Sequence, residues 1–305
     1  MRNRHPNTFI IGAPKCGTSA LAHYLSTHPN VFFSNPKEIF YWCKDFASLK
    51  HELGIKNIDD YLRLFRDADP ERHLVIAEGS TRYLRSENAV RNLLEFNKDS
   101  KFIAMVRNPI ELAHAYHMEQ CYSMHEDVDD FGQAWRMQEQ RKLGTNIPKG
   151  CREPAFLQYK EVASLGTQIK RLLETVPKEQ VLVLVFDDLK TDVSGLYSET
   201  LEFLKLPNDN KTEFEIVNSA HAHRYQWLAK LILTPPAPLE DAVLRMRRCL
   251  WEQRFPFVET IKARLNKKQQ RTKIPDKLRS EMRDVFKEEI DLLSKLLDRD
   301  LSHWR

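Results

Sequence analysis

Apolar residues along this chain gather into five short runs, near 8–12, 31–33, 74–77, 102–106 and 181–186. Each is bounded by turn-forming or charged residues. Runs of this length without alternation suit strands that are buried on both faces. After each run the spacing of apolar residues becomes helical. Leu21, Tyr24 and Leu25 share one face, residues 90–96 form another amphipathic segment, and residues 194–203 a third. Tyr159, Val162, Leu165, Ile169, Leu172 and Leu173 predict one amphipathic helix over 157–173. A polar helical excursion is expected over 44–72, with Tyr61, Leu62, Leu64 and Phe65 inward, and helix again over 131–143. A last helix starts at Pro275-Asp276 and repeats Leu278, Met282, Val285, Phe286, Ile290, Leu293 and Leu297. Strand alternating with helix predicts an α/β fold, a mainly five-stranded parallel sheet with helices on both faces. Residues 1–305 read as one domain.

In such a sheet, ligands gather at the carboxyl ends of the strands. The first strand ends in Gly12-Ala13-Pro14-Lys15-Cys16-Gly17-Thr18-Ser19-Ala20. A loop between strand and helix offers backbone N–H groups at the positive end of the helix dipole, which suits a phosphate. The glycine spacing is that of a nucleotide-triphosphate loop, except that Thr18 stands where that loop has its lysine. The lysine lies three places upstream, at Lys15. This layout favours a nucleotide with a single 5′-side phosphate and a second group beyond it over a magnesium-bound triphosphate. Cys16 is read as a small residue lending its N–H, with a stabilised thiolate as the alternative.

Three further polar segments follow strands. Lys37-Glu38 with Phe40, Tyr41 and Trp42 follows the second. Glu78-Gly79-Ser80-Thr81-Arg82-Tyr83-Leu84 follows the third, and Arg107-Asn108-Pro109 the fourth. Asp187-Asp188 closes the fifth, which keeps a Walker B reading open.

The loop Pro14-Lys15-Cys16-Gly17-Thr18-Ser19 resembles the 5′-phosphosulfate loop of sulfotransferases that use 3′-phosphoadenosine 5′-phosphosulfate (PAPS), closest to the carbohydrate-type and bacterial members. The segments at 37–42, 78–84 and 102–109 resemble that family too. The resemblance implies a three-layer P-loop-like fold and sulfuryl transfer from PAPS to a hydroxyl acceptor, possible acceptors including a saccharide or another small molecule. It implies Glu38 as general base, Lys15 and Lys37 as the charges at the reacting group, and no metal. Cys16, Gly17, Thr18, Ser19 and Ala20 would bind the 5′-phosphate, Arg107 the 3′-phosphate, and a late basic loop with Lys267, Lys268 and Arg271 would cover the nucleotide. Two departures stand out. Ala115 occupies the family's serine position eight residues after Arg107, where His114 or Tyr116 could substitute, and Thr81 stands where proline is common. The rival readings are a magnesium-ATP small-molecule kinase that uses Asp187, and a non-catalytic adenine-nucleotide-binding protein.

Composition narrows the picture. The net charge of +4 is compatible with an anionic donor and too small to point to nucleic acid. No apolar run approaches the ~20 residues of a membrane span. A strand beginning within ten residues of Met1 leaves no room for a signal peptide, so a cytoplasmic enzyme is expected. Five widely spaced cysteines, with no C-x-x-C, speak against a disulfide framework or zinc. His114, His117, His125, His221 and His223 are read as surface or packing residues rather than metal ligands.

Overall fold

The computed structural model describes residues 4–46, 55–151, 153–215 and 272–305, with short pieces at 221–223, 242–243, 246 and 266–268. Five parallel strands form one sheet: β1 (Thr8–Gly12), β2 (Val31–Phe33), β3 (Val75–Glu78), β4 (Lys101–Val106) and β5 (Val181–Val185). Their order is β2-β3-β1-β4-β5. From β1 the chain moves to one edge of the sheet, and from β3 it crosses to the other side. The switch point therefore lies at the carboxyl end of β1, where open α/β sheets place their ligands. Each strand matches its predicted run to within a residue at either end. The central strands are apolar on both faces, and Phe9, Ile10, Ile11 and residues 102–106 are buried.

The helices on the two faces are α1 (Thr18–Ser26), α2 (Ile58–Arg63), α3 (Ala89–Phe96), α4 (Pro109–Tyr122), α5 (Phe131–Arg136), α6 (Gln138–Lys142), α7 (Tyr159–Ala163), α8 (Leu165–Thr175), α9 (Phe186–Thr191), α10 (Val193–Leu204) and α11 (Asp276–Leu297). The single helix expected over 157–173 is in fact a 3-10 turn, Pro154–Leu157, followed by α7 and α8. The break at Ser164 has a tertiary cause. Glu289 of α11 accepts the Thr167 backbone N–H at 2.8 Å and its hydroxyl at 2.5 Å, so a distant carboxylate caps a fresh helix start. The excursion expected over 44–72 contains only α2 as regular helix among the described residues. The segment expected as helix over 131–143 divides into α5 and α6 at Met137.

A buried cluster fixes the stretch between α4 and α7. Arg141 donates to both carboxylate oxygens of Glu126, at 2.5 and 2.7 Å, and Tyr159 donates to the same group at 2.5 Å. The Asp127 and Val128 N–H groups also donate to Oε1, each at 3.0 Å, so both oxygens are well partnered, as a buried ion pair requires.

Candidate functional site

The phosphate loop leaves β1 through Gly12, whose φ is +151°, and enters α1 through Gly17, whose φ is +91°. The positive φ favours glycine here, and a Cβ would also make the side-chain ends of Leu189, 2.6 Å away, and Phe186, 3.0 Å away, give ground. Gly17 caps α1 without any side-chain hydrogen bond. The first N–H groups of a helix lack the usual intrahelical partner, so Thr18 and Ser19 begin an uncapped N-terminus facing the loop, while Ala20 N–H turns back to Gly17 O at 3.0 Å. Lys15 has φ +60° and directs its ammonium to Glu119 Oε1 of α4, 3.4 Å away. Cys16 is fully buried, and burial pushes its thiol up to about 12 against the pull of Arg107 and Lys15. It is therefore a neutral thiol, and the thiolate alternative falls.

Lys37 and Glu38 meet at the same end of the sheet. Lys37 Nζ donates to Glu38 Oε1 at 3.1 Å, and Thr81 Oγ1 donates to Glu38 Oε2 at 3.2 Å. Behind them lies a second carboxylate. Glu78 ends β3, is fully buried, and accepts hydroxyls from Tyr61 at 2.6 Å, Ser80 at 2.5 Å and Tyr83 at 2.6 Å. Burial raises its pKa to about 7, with the three hydroxyls and Lys37 pulling the other way. Ser80 Oγ in turn accepts the backbone N–H groups of Ile39 at 2.9 Å and Phe40 at 3.0 Å. The same turn is tied to the phosphate strand, since Leu84 N–H donates to Ile11 O at 2.8 Å. The segment after β3 is thus a bracket that joins the Lys37-Glu38 loop to the phosphate loop.

Arg107 follows β4, and its charge lies beside the loop. It is 4% exposed, stacks over Phe186 at 4.6 Å, and donates to Lys15 O at 3.1 Å. One of its donors therefore tethers the phosphate loop. Asn108 caps α4 by accepting Ile110 N–H at 3.0 Å, with Pro109 at the first turn. Ala115 is buried, and Tyr116 is buried beside it. His114 Nε2 is hydrogen-bonded to Thr272 Oγ1 at 3.0 Å, so it leans toward the segment preceding α11.

Asp187 and Asp188 are taken up by the C-terminal segment. Trp304 donates its indole N–H to Asp187 at 2.7 Å, and Arg299 grips Asp188 at 2.5 and 2.6 Å. Burial works to raise the Asp187 pKa, but Trp304, His303 and Lys190 outweigh it and hold the carboxyl below its ordinary value. This is a structural clasp, and it removes the carboxylate that a kinase reading needs. The late basic segment is not a plain loop: Asn266–Lys268, with Lys267 at its centre, forms a strand paired antiparallel with His221–His223, the latter alongside α4. Arg271 lies outside the described residues, as do Arg245, Arg247, Arg248 and Cys249. Among the described residues no group of His, Cys, Asp and Glu is arranged to hold a metal, and no helix is long and apolar enough to cross a membrane.

The family model for the sulfotransferase domain matches residues 5–289. This chain belongs to the sulfotransferase domain family. Its parallel sheet and helices make a P-loop-like fold. Carbohydrate sulfotransferase 15 of Mus musculus is 23% identical over 287 residues, covering 79% of this chain and 51% of that protein. The human bifunctional heparan sulfate N-deacetylase/N-sulfotransferase 3 is 26% identical over 218 residues, covering 69% of this chain and 24% of that protein. The chain spans about half the length, or less, of these curated relatives. A sulfotransferase structure from Alicyclobacillus acidocaldarius shares the fold, with a TM-score of 0.71 at 23% identity, covering 99% of each chain.

The sequence reading of this sulfotransferase domain put Lys15, Lys37, Glu38 and Arg107 after strand ends, and the fold sets them at the carboxyl end of the sheet. It did not assign roles to Glu78, Thr81 or Glu119. A carboxylate directly after a buried apolar run, followed by Ser80 and Tyr83, is the signal that could have marked Glu78. Glu119 carries no local signal, because its contact with Lys15 spans 104 positions.

Proposed function

We propose that this chain transfers a sulfuryl group from PAPS to the hydroxyl of an acceptor by in-line displacement. The observation that carries the reading is the bracket that holds the Glu38 carboxylate and the Lys37 ammonium against an uncapped phosphate loop. The N–H groups of residues 16–20 bind the donor's 5′-phosphate, and Arg107, tethered to the same loop through Lys15 O, binds its 3′-phosphate. Lys267 and Arg271 belong to the segment proposed to cover the nucleotide. Glu38 takes the acceptor's hydroxyl proton, and the acceptor oxygen forms its bond to sulfur. The bond from sulfur to the 5′-phosphate oxygen breaks, and adenosine 3′,5′-bisphosphate leaves. Lys37 faces the charge on the sulfuryl oxygens. Lys15 faces the leaving phosphate once it exchanges Glu119 for the donor. General-base help of this kind is worth about 10²–10⁴ in rate, and preorganised charge as much or more. The scheme asks nothing of a metal. Relatives named for carbohydrate and heparan sulfate chemistry favour a saccharide acceptor.

The test is ligand-dependent melting. Adenosine 3′,5′-bisphosphate at 100 times its dissociation constant should add ~2.7 kcal/mol, with or without magnesium. Stabilisation by ATP only when magnesium is present would favour the kinase reading instead. Turnover of labelled PAPS by Glu38→Gln at the wild-type rate, with the bisphosphate still bound, would refute the base assignment.

A further inference from the structure

The Lys37–Glu38 ion pair joins neighbours in the chain. It moves with its own loop, so it cannot by itself aim Glu38 at a donor held on β1. An aimed carboxylate needs a reference point on another element. Ser80 fixes the loop backbone through the amides of Ile39 and Phe40 but does not touch the Glu38 carboxylate oxygens. Thr81 does. Its Oγ1 donates to Glu38 Oε2 at 3.2 Å, while Oε1 holds Lys37. Thr81 is 6% exposed, whereas the Glu38 side chain is 36% exposed, so a half-buried group is tethered to a buried one. A threonine hydroxyl is well suited to this, since branching at Cβ restricts χ1.

The other end of Thr81 rests on the phosphate loop. A Cβ at Gly12 would come within 2.7 Å of the Thr81 carbonyl oxygen, so the two backbones are in direct contact where the loop begins. One residue thus touches both the acceptor-side carboxylate and the donor-side loop.

We propose that Thr81 is a positioning residue that aims the Glu38 carboxylate at the donor bound in the phosphate loop. This rests on the reading of Glu38 as the base. A proline, common at this place in the family segment that residues 78–84 resemble, has no hydroxyl to give, so the contact belongs to this chain.

The test compares Thr81→Val, which keeps the shape and deletes the donor, with Thr81→Ser, which restores it. Crystal structures with adenosine 3′,5′-bisphosphate bound give the first readout. In Thr81→Val the Glu38 carboxylate should shift by about 1 Å or spread over several rotamers, a displacement large enough to matter for catalysis. In Thr81→Ser it should return, and bisphosphate affinity should stay within about twofold of wild type in both. Turnover of sulfur-35-labelled PAPS with heparan sulfate as the saccharide probe gives the second. Thr81→Val should lower kcat about tenfold, a step of ~1.4 kcal/mol in the barrier, leaving the donor KM unchanged, and Thr81→Ser should recover most of it. An unmoved carboxylate in Thr81→Val overturns the proposal, as does an equal loss of kcat when Thr81→Val is added to Glu38→Gln. Thr81→Ala takes the place of Thr81→Val if the latter does not fold. Wild-type turnover by Glu38→Gln, with a displaced carboxylate in Thr81→Val, would instead sink the base reading and leave the contact standing.

Discussion

Ser80 gives its hydroxyl proton to the buried Glu78 carboxylate at 2.5 Å, and the same oxygen accepts the amides of Ile39 and Phe40. One atom therefore joins the end of β3 to the loop that carries Lys37 and Glu38. Ser80→Ala strands two backbone donors, while the carboxylate oxygen it bonded keeps the Tyr83 hydroxyl. Leaving a buried group unpaired costs about 1–3 kcal/mol. Urea unfolding should show a loss of that size, and kcat should fall while bisphosphate binding holds.

The Glu78 carboxyl gives the fold a pH dependence of definite sign. Its ordinary value is 4.5 and its folded value about 7. Below about 4.5 both states hold the proton and its stabilising contribution is whole. As pH climbs from there through about 7, the folded state keeps a proton that the unfolded chain has released, so stability declines, on the order of 3 kcal/mol in all. Glu78→Gln stays neutral. Its stability curve, subtracted from wild type across pH 4.5 to 7, should isolate this slope, and parallel curves would show that Glu78 does not titrate there.

Gly17→Ala should be severe for a backbone reason. At φ +91° a side chain is strained, and its Cβ would drive into Leu189 and Phe186. Strain at such a site costs about 1–3 kcal/mol. The loop N–H groups would also shift, so the bisphosphate should lose most of its stabilising effect in a thermal titration. Gly144→Ala is the control: its φ is also positive, but nothing lies within 4 Å of the added Cβ.

Cys16 should resist alkylation. Its thiol is buried and pushed up to about 12, so almost no thiolate exists at pH 8. Mass spectrometry after iodoacetamide treatment of the folded protein should find it unmodified, with labelling appearing only in denaturant.

The Asp187 carboxylate should prove structural. Asp187→Ala loses the Trp304 and His303 partners and should lower stability by about 1–3 kcal/mol. Turnover measured well below the new melting temperature, with and without EDTA, should remain within about threefold of wild type. A collapse of turnover reversed by added magnesium would revive the kinase reading.

Much of this molecule is local in origin. Apolar runs, bounded by turn residues, mark the five strands of the parallel sheet, because a strand buried on both faces needs mostly apolar side chains, whereas the polar pair at His221–His223 and Asn266–Lys268 carries no such mark. Gly12, Lys15 and Gly17 mark the phosphate loop, since close approach of backbone to an anion demands those residue types at that spacing. The positions of Lys37, Glu38 and Arg107 after strands set them at the carboxyl end of a parallel sheet. Helix breaks are another matter: periodicity runs straight through Ser164, where the Glu289 carboxylate, 122 positions from Thr167, caps a new start and the Gln168 amide donates to the carbonyls of Glu161 and Val162.

The chain's own letters therefore decided the sheet, the loop and the set of charged groups brought to the sheet's carboxyl end. Tertiary structure decided which of those groups are partnered, and by what. Lys15 reaches Glu119, Arg107 supports the Lys15 carbonyl, Asp187 is claimed by Trp304, and Glu38 is tied to Thr81. Short-range pattern reflects burial and backbone conformation, which each stretch carries within itself. A side-chain partner is chosen by distance in space, and pairs separated by tens to hundreds of positions leave no periodic trace.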